Sequence, residues 1–353
     1  MTAPIHIERT KNSRLSSVDF SNLGFGAYIS DHMVVADYKN GAWHEPRIIP
    51  YGEMMMSPAI LALHYGQSVF EGMKAFKNKE GHINIFRPQR HLQRFNKSLE
   101  RMCMPPLSEE LFIGSLASLV EVDEAWIPTA EGSSLYIRPF MFANEARLGV
   151  KISDQYSFVI LTSPVAPYFS KPVKVKVEEE FVRAAEGGTG FVKCAGNYGA
   201  AFYPTMLAQK QGFDQVFWTD AKEHKYIDES GAMNVMFVLN GKLITPKLTS
   251  TLLDGVTRDS ILTLSSSLGI EKEERRVSIA EIEEGLKNGT LTEAFGVGTA
   301  AVVSPIASIS IHGKNYEVPA ATAESFQLRA KKKLNDIRMG IEADVHNWNY
   351  HVK

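Results

Sequence analysis

Gly187-Gly188-Thr189-Gly190-Phe191-Val192-Lys193-Cys194-Ala195-Gly196-Asn197-Tyr198-Gly199 is the stretch on which the reading of this chain turns. Five of its residues are glycine, and they flank a lysine whose nearest neighbours are Phe191, Val192, Cys194 and Ala195. Backbone this rich in glycine packs closely against whatever it faces. A lysine there sits in a partly desolvated place, the setting an amine nucleophile needs for carbonyl chemistry. Residue type alone favours a plainer reading, a solvated surface lysine between turns, because lysines are seldom buried. The surrounding text has to decide.

Two other chemistries use glycine-rich text. A phosphate loop ends in G-K-[ST], but here Lys193 is followed by Cys194 and preceded by Val192, which disfavours a nucleotide hydrolase. Gly296-Val297-Gly298-Thr299-Ala300-Ala301 fits the dinucleotide fingerprint G-x-G-x-x-A, with Glu317 downstream, and would make the chain a nicotinamide oxidoreductase. That fingerprint must open a helix. Val302-Val303-Ser304-Pro305 is β-branched and then broken by proline, so no helix starts there.

The bulk properties narrow the classes further. At 353 residues with 44% hydrophobic content, the chain is long enough for two cores and too apolar for a disordered scaffold. A net charge of -2, with Lys and Arg scattered among Asp and Glu, leaves no electrostatic footprint for nucleic acid. Lys331-Lys332-Lys333 reads as a solvated helix face. No apolar run approaches the ~20 residues that span a bilayer, and residues 1–14 carry no signal-like apolar region, so the expectation is a soluble, cytoplasmic protein. The two cysteines, Cys103 and Cys194, read as free thiols, and the ten histidines show no metal-ligand spacing; no metal site is expected.

Working outward from the lysine, the first half reads as strands and hairpins with interspersed helices. Residues 66–76 and 83–86 form a hairpin around Asn78-Lys79-Glu80-Gly81. Leu92, Phe95, Leu99 and Met102 recur at helical spacing after Arg87-Pro88, until Pro105-Pro106 stops the helix. Residues 135–142 and 156–161 read as buried strands. Pro164, Pro167 and Pro172 then interrupt regular structure, and the interdomain loop is placed at 167–179. Beyond it strands and helices alternate: short strands at 216–219 and 236–239, an Asn240-Gly241 type I′ turn, and a helix over 258–268. Ser278 opens a capped helix that Asn288-Gly289 ends, and Phe326, Ala330, Leu334, Ile337 and Ile341 mark a terminal helix. The fold class is α+β or α/β in two domains.

Seven segments, in order, resemble the class IV, branched-chain aminotransferase family of pyridoxal-phosphate (PLP) enzymes. They are His64-Tyr65-Gly66-Gln67-Ser68-Val69-Phe70-Glu71-Gly72; Arg87-Pro88 with Leu92-Gln93-Arg94; Tyr136-Ile137-Arg138-Pro139; the glycine-flanked Lys193; Glu229 with Met233-Asn234; Gly255-Val256-Thr257-Arg258; and Gly298-Thr299-Ala300. The resemblance spans roughly residues 51–311. It implies fold type IV, with a small N-terminal α/β domain over 1–166 and a large cofactor-binding domain over 180–353.

The resemblance also implies roles. Lys193 carries PLP covalently and later shuttles a proton between the substrate Cα and the cofactor. Glu229 pairs with the pyridine nitrogen, Tyr198 bonds the phenolic oxygen, and Arg94, Val256, Thr257 and Thr299 hold the phosphate. Tyr65, Phe70, Tyr136 and Tyr168 form an aromatic substrate box, Arg138 meets a distal carboxylate, and the Ala300 N–H binds the α-carboxylate. The reaction implied is reversible transfer of the amino group from leucine, isoleucine or valine to 2-oxoglutarate, in a homodimer or larger assembly. D-amino-acid aminotransferase and aminodeoxychorismate lyase activities occur on the same fold, and a non-catalytic PLP-binding protein is a further alternative. Ala232 stands where vertebrate members carry a threonine, which leaves side-chain specificity open there. Ala301 and Ser304 replace their redox C-x-x-C, so no thiol switch is expected.

Overall fold

In a computed structural model, which describes residues 5–167 and 171–352, the strands of the first half and Asn349–Val352 assemble into one ten-stranded sheet among the described residues. Its spine is Arg47–Pro50, His32–Lys39, Tyr156–Val165, Ser134–Ala143, Met73–Lys77 and Ile83–Phe86, with neighbours antiparallel. Ser68–Phe70 pairs with the same edge of Ser134–Ala143 as Met73–Lys77, further along it, so the two short strands lie end to end. The long pair Ser134–Ala143/Tyr156–Val165 is buried almost throughout, as its continuous apolar text requires.

The helix Pro88–Arg101 packs Leu92, Phe95 and Leu99 inward, and Phe95, Phe112 and Phe158 form an aromatic cluster with centroids 5.6–6.0 Å apart. Burying each such side chain contributes about 1.5–3 kcal/mol. The helix stops before the prolines. Cys103 adopts a left-handed conformation (φ 54°), Met104 N–H reaches back to the Leu99 carbonyl at 2.9 Å, and Cys103 N–H to Glu100 at 3.0 Å. This closing motif usually carries glycine.

The second half forms a nine-stranded mixed sheet among the described residues, in the order Ile227–Ser230, Gln215–Thr219, Val173–Val177, Val302–Ile311, Leu291–Gly298, Asn234–Leu239, Lys242–Pro246 and Lys272–Arg275, with Lys314–Glu317 beside Val302–Ile311. Its core includes Val175, Phe217, Phe237, Ile282, Leu291 and Ile309. Asn240 and Gly241 both take positive φ (52° and 73°), the requirement of the type I′ turn. Ser278 Oγ accepts the Glu281 N–H at 3.1 Å, and Gly289 closes that helix in the left-handed conformation. No helix of the described residues is long and apolar enough to cross a membrane.

The boundaries differ from the sequence expectation. The segment expected as a loop over 167–179 contains Val173–Val177, a central strand of the second sheet. Pro172 precedes the first paired residue and so removes no ladder hydrogen bond. The first unit comprises residues 5–167, 193–195 and 337–352, and the second takes 171–192 and 196–336; the expected continuous domain over 180–353 is thus interrupted twice. The terminal helix ends at Arg338, with Gly340 at φ 70°, so Ile341 lies outside it and is exposed. Asn349–Val352 then returns to pair with Ile83–Phe86.

Candidate active site

Within the first unit, strand alternation places Tyr136 and Arg138 on one face of Ser134–Ala143. Arg138 donates from Nε and Nη2 to the Tyr136 hydroxyl at 3.2 and 2.8 Å. Its guanidinium lies 4.7 Å from the centre of the Phe70 ring, and the Lys193 Nζ lies 4.6 Å from that same ring. Phe25 packs edge-on against Tyr136 at 4.8 Å. The cluster leaves no room at Gly72, where an added Cβ would stand 2.1 Å from the Tyr136 hydroxyl oxygen. Two cations held against one aromatic ring make a place that favours an anion, each contact contributing about 0.5–2 kcal/mol.

The backbone of Lys193 is pinned on both sides. Its N–H donates to Ser98 Oγ at 3.0 Å, and its carbonyl accepts the Phe70 N–H at 3.0 Å. Cys194 forms a bridge to Val69. These contacts explain why three residues of the glycine-rich loop group with the first unit. The lysine is half-buried, so it is not the plain surface charge that residue type favours.

Arg94 is not an exposed helix charge. It is buried, and it donates from Nε to Glu71 Oε1 at 2.6 Å and from Nη2 to Glu71 Oε2 at 2.8 Å. His91 Nδ1 lies 2.8 Å from Glu71 Oε2, and the Gly72 N–H adds a bond at 3.0 Å. Burial alone would raise the Glu71 carboxyl, but Arg94 and His91 outweigh it and hold Glu71 well below the usual carboxylate range. Burial pushes the His91 imidazole down, against the opposing pull of Glu71.

In the second unit the central group is Glu229, on Ile227–Ser230 and opposite Trp218 in the neighbouring strand. It is buried, paired with Arg183 Nε at 3.2 Å, and accepts hydrogen bonds from Asn234 Nδ2 at 3.3 Å and the Leu253 N–H at 2.5 Å. Arg183 also donates to the carbonyls of Gly190 and Thr251. Gly190 has to be glycine, since a Cβ there would lie 2.6 Å from the Thr251 carbonyl oxygen. Asn197 holds the loop from its far end, donating to the carbonyls of Thr189 at 2.8 Å and Val192 at 2.9 Å. Asp228, next to Glu229, is pushed up to about 6 by burial, against the Thr251 hydroxyl that favours its charge.

Val256 and Thr257 occupy the buried first turn of the helix Val256–Leu264, preceded by Gly255, where a Cβ would meet Asn234 Oδ1 at 1.9 Å. The first turn of a helix turns the positive end of its dipole and its leading N–H groups outward, a setting that favours an anion. Tyr198 is half-buried on the short helix Ala195–Gly199. Thr299 and Ala300 form the turn between Leu291–Gly298 and Val302–Ile311. Val302, immediately after that turn, has φ 59°, a left-handed conformation that for a β-branched residue stores on the order of 1–3 kcal/mol. No helix follows, in keeping with the rejection of a dinucleotide fold.

The structure thus brings Phe70, Tyr136, Arg138 and Lys193 together. It engages Tyr65 instead with the Leu148 carbonyl, through its hydroxyl, and Tyr168 lies outside the described residues. Glu71, His91, Ser98, Arg183, Asn197 and Asn234 escaped sequence reasoning. Glu71, Asn197 and Asn234 lay inside quoted segments, but the Arg94 that Glu71 holds is 23 residues away.

Comparison with known proteins places this arrangement. The sequence pattern described as "Amino-transferase class IV" matches residues 68–309. The chain is 46% identical to branched-chain-amino-acid transaminase 1 of Bacillus subtilis (strain 168), covering 95% of each chain. It is 45% identical to the probable branched-chain-amino-acid aminotransferase of Staphylococcus aureus (strain N315), over 99% of this chain and 98% of that one. A crystal structure of the branched-chain amino acid aminotransferase from Thermobaculum terrenum in its PLP form superposes with a TM-score of 0.75 at 25% identity, covering 92% of this chain and 98% of that one. Sheets and site together define a fold type IV enzyme. The chain belongs to the class IV aminotransferases.

PLP presents an aldehyde, a ring nitrogen, a phenolic oxygen and a phosphate. Each unit carries groups that suit such a molecule: in the first, a half-buried amine at Lys193 and a buried guanidinium at Arg94; in the second, a buried carboxylate at Glu229, a phenol at Tyr198 and a helix start at Val256 and Thr257.

Proposed function

We propose that the protein is a PLP-dependent branched-chain amino acid aminotransferase, moving the amino group of leucine, isoleucine or valine reversibly to 2-oxoglutarate. The observation that carries this reading is the Lys193 amine set against Phe70 in the same cluster as Tyr136 and Arg138. An amine, aromatic rings and an arginine are what a site needs if it is to take an aliphatic side chain in one half-reaction and glutamate's carboxylate in the other. The names of its relatives in Bacillus and Staphylococcus support the substrate class.

Bound PLP supplies the electron sink that makes the substrate Cα–H acidic. Lys193 Nζ holds the cofactor in the resting enzyme and, once displaced by the substrate amine, takes and returns the Cα proton. Glu229 supplies negative charge for a protonated ring nitrogen, with Arg183 and the Leu253 N–H fixing its orientation. Tyr198 bonds the phenolic oxygen. Arg94, Val256, Thr257 and Thr299 hold the phosphate. Phe70 and Tyr136 line the side-chain space and exclude water, Arg138 binds the distal carboxylate of glutamate, and the Ala300 N–H binds the α-carboxylate.

The protein acts in the cytoplasm as a homodimer or larger assembly. Leu148, Val150 and Ile152 leave apolar side chains in solvent, which supports burial against a second copy. The direct test is chemical: the purified protein is yellow, and borohydride fixes the pyridoxyl group on a peptide containing Lys193. A colourless protein, or label on another lysine, overturns the reading. An amino-donor panel containing D-alanine and 4-amino-4-deoxychorismate separates it from the other activities of this fold.

A further inference from the structure

Lys193 and Arg94 are joined by a closed circuit of contacts within the first unit. Ser98, with no exposed surface, lies one turn after Arg94 on Pro88–Arg101. Its Oγ donates to the Arg94 carbonyl at 3.0 Å and accepts the Lys193 N–H at 3.0 Å. The Lys193 carbonyl accepts the Phe70 N–H. Phe70 is followed by Glu71, whose carboxylate grips the Arg94 guanidinium on two nitrogens. The path from Lys193 through Ser98, Arg94, Glu71 and Phe70 returns to Lys193.

We propose that Ser98 is a positioning residue that fixes the Lys193 backbone against the helix carrying Arg94. This rests on the reading of Lys193 and Arg94 as the cofactor's amine and phosphate ligands. A buried serine that bonds the carbonyl four residues back is ordinary helix behaviour. What exceeds it is the second bond, from an N–H 95 residues away. A hydroxyl is the small group that can donate to one backbone and accept from another at the same atom. With N–H held by the helix and C=O held by Phe70, the Lys193 Cα is pinned, and only the side-chain torsions remain to move the amine between holding the cofactor and accepting a proton. Productive geometry at that amine then depends on an atom that touches neither cofactor nor substrate.

Ser98→Ala deletes both bonds and takes the acceptor from a partly buried N–H, while alanine suits the helix at least as well as serine. The test compares holoenzymes of the wild type, Ser98→Ala, Ser98→Thr and Lys193→Ala in leucine-to-2-oxoglutarate transfer. It also follows the pH midpoint of the visible absorption band of the Lys193-bound cofactor. Expected for Ser98→Ala are a kcat lower by about tenfold, a displaced band midpoint and a thermal midpoint within a few degrees of wild type; Ser98→Thr, which keeps the hydroxyl, stays within about threefold on the same energetic grounds. Wild-type kcat and band midpoint in Ser98→Ala overturn the proposal, as does equal loss in Ser98→Thr. If Ser98→Ala does not fold, Ser98→Cys, which keeps the volume with a poor acceptor, is read by the same criteria. A colourless, inactive Lys193→Ala beside an unaffected Ser98→Ala removes only the positioning role. A yellow, active Lys193→Ala removes the functional reading and this proposal with it.

Discussion

Replacing Glu71 by glutamine isolates the buried charge that holds Arg94. Glu71 has no exposed surface, and its two oxygens serve Arg94 at 2.6 and 2.8 Å and His91 at 2.8 Å. Glutamine keeps one acceptor oxygen but sets an amide N–H against the guanidinium and removes the counter-charge. Breaking a buried pair in this way costs about 3–5 kcal/mol, of which the surviving hydrogen bond recovers about 1 kcal/mol. At ~2–4 °C per kcal/mol for a unit of this size, the thermal midpoint should fall by about 4–16 °C at pH 7.5. The pH dependence gives a second handle. Burial raises the Glu71 carboxyl, but Arg94 and His91 outweigh it, so its folded value lies below the unfolded value of about 4.3. The stability it contributes is therefore complete above the unfolded value and is lost as pH falls below it. In differential scanning calorimetry the gap between wild type and Glu71→Gln should narrow between about pH 5 and pH 3. A midpoint within 2 °C of wild type at pH 7.5, or a gap that stays constant on acidification, refutes the reasoning.

Three further outcomes are expected. Glu229→Gln should keep the yellow colour while kcat falls at least ~100-fold in steady-state transamination, since it removes the charge proposed to face the ring nitrogen; a loss under fivefold would take Glu229 out of that role. Tyr136→Phe removes the acceptor of two Arg138 bonds. It should raise KM for 2-oxoglutarate about 3–10-fold while KM for leucine changes less than twofold, and an equal change in both would place Tyr136 in packing alone. Asp228→Asn should stabilise the protein at pH 7.5 by on the order of 1 kcal/mol. Its carboxyl is raised to about 6 by burial, so the stability it confers is whole below the unfolded value of ~3.9 and is lost as pH rises through 6. Chemical denaturation at pH 4 and 7.5 should show the advantage of asparagine only at the higher pH.

Much of the local architecture was legible in the sequence because its determinants are neighbours: the Ser278–Glu281 cap, the Asn240-Gly241 turn, and the glycine frame around Lys193. The long-range partnerships were not. Nothing near Lys193 announces Ser98, and nothing near Glu229 announces Arg183; topology supplies both. The end of the helix at Arg101 was assigned to Pro105 and Pro106, but a left-handed Cys103 does the work earlier, against the usual preference for glycine. The strand Val173–Val177 is hidden by the prolines that precede it, and Asn349–Val352 by the distance to its partner.

That last pairing has a consequence for biogenesis. The strand Ile83–Phe86 is synthesised early, yet its neighbour Asn349–Val352 emerges only after the whole second unit. At ~5–20 residues per second, roughly 260 intervening residues impose a delay on the order of 10–50 s. Until then the nascent first sheet exposes an unpaired edge on the ribosome, and it is the second unit, contiguous except for Lys193–Ala195, that can close first.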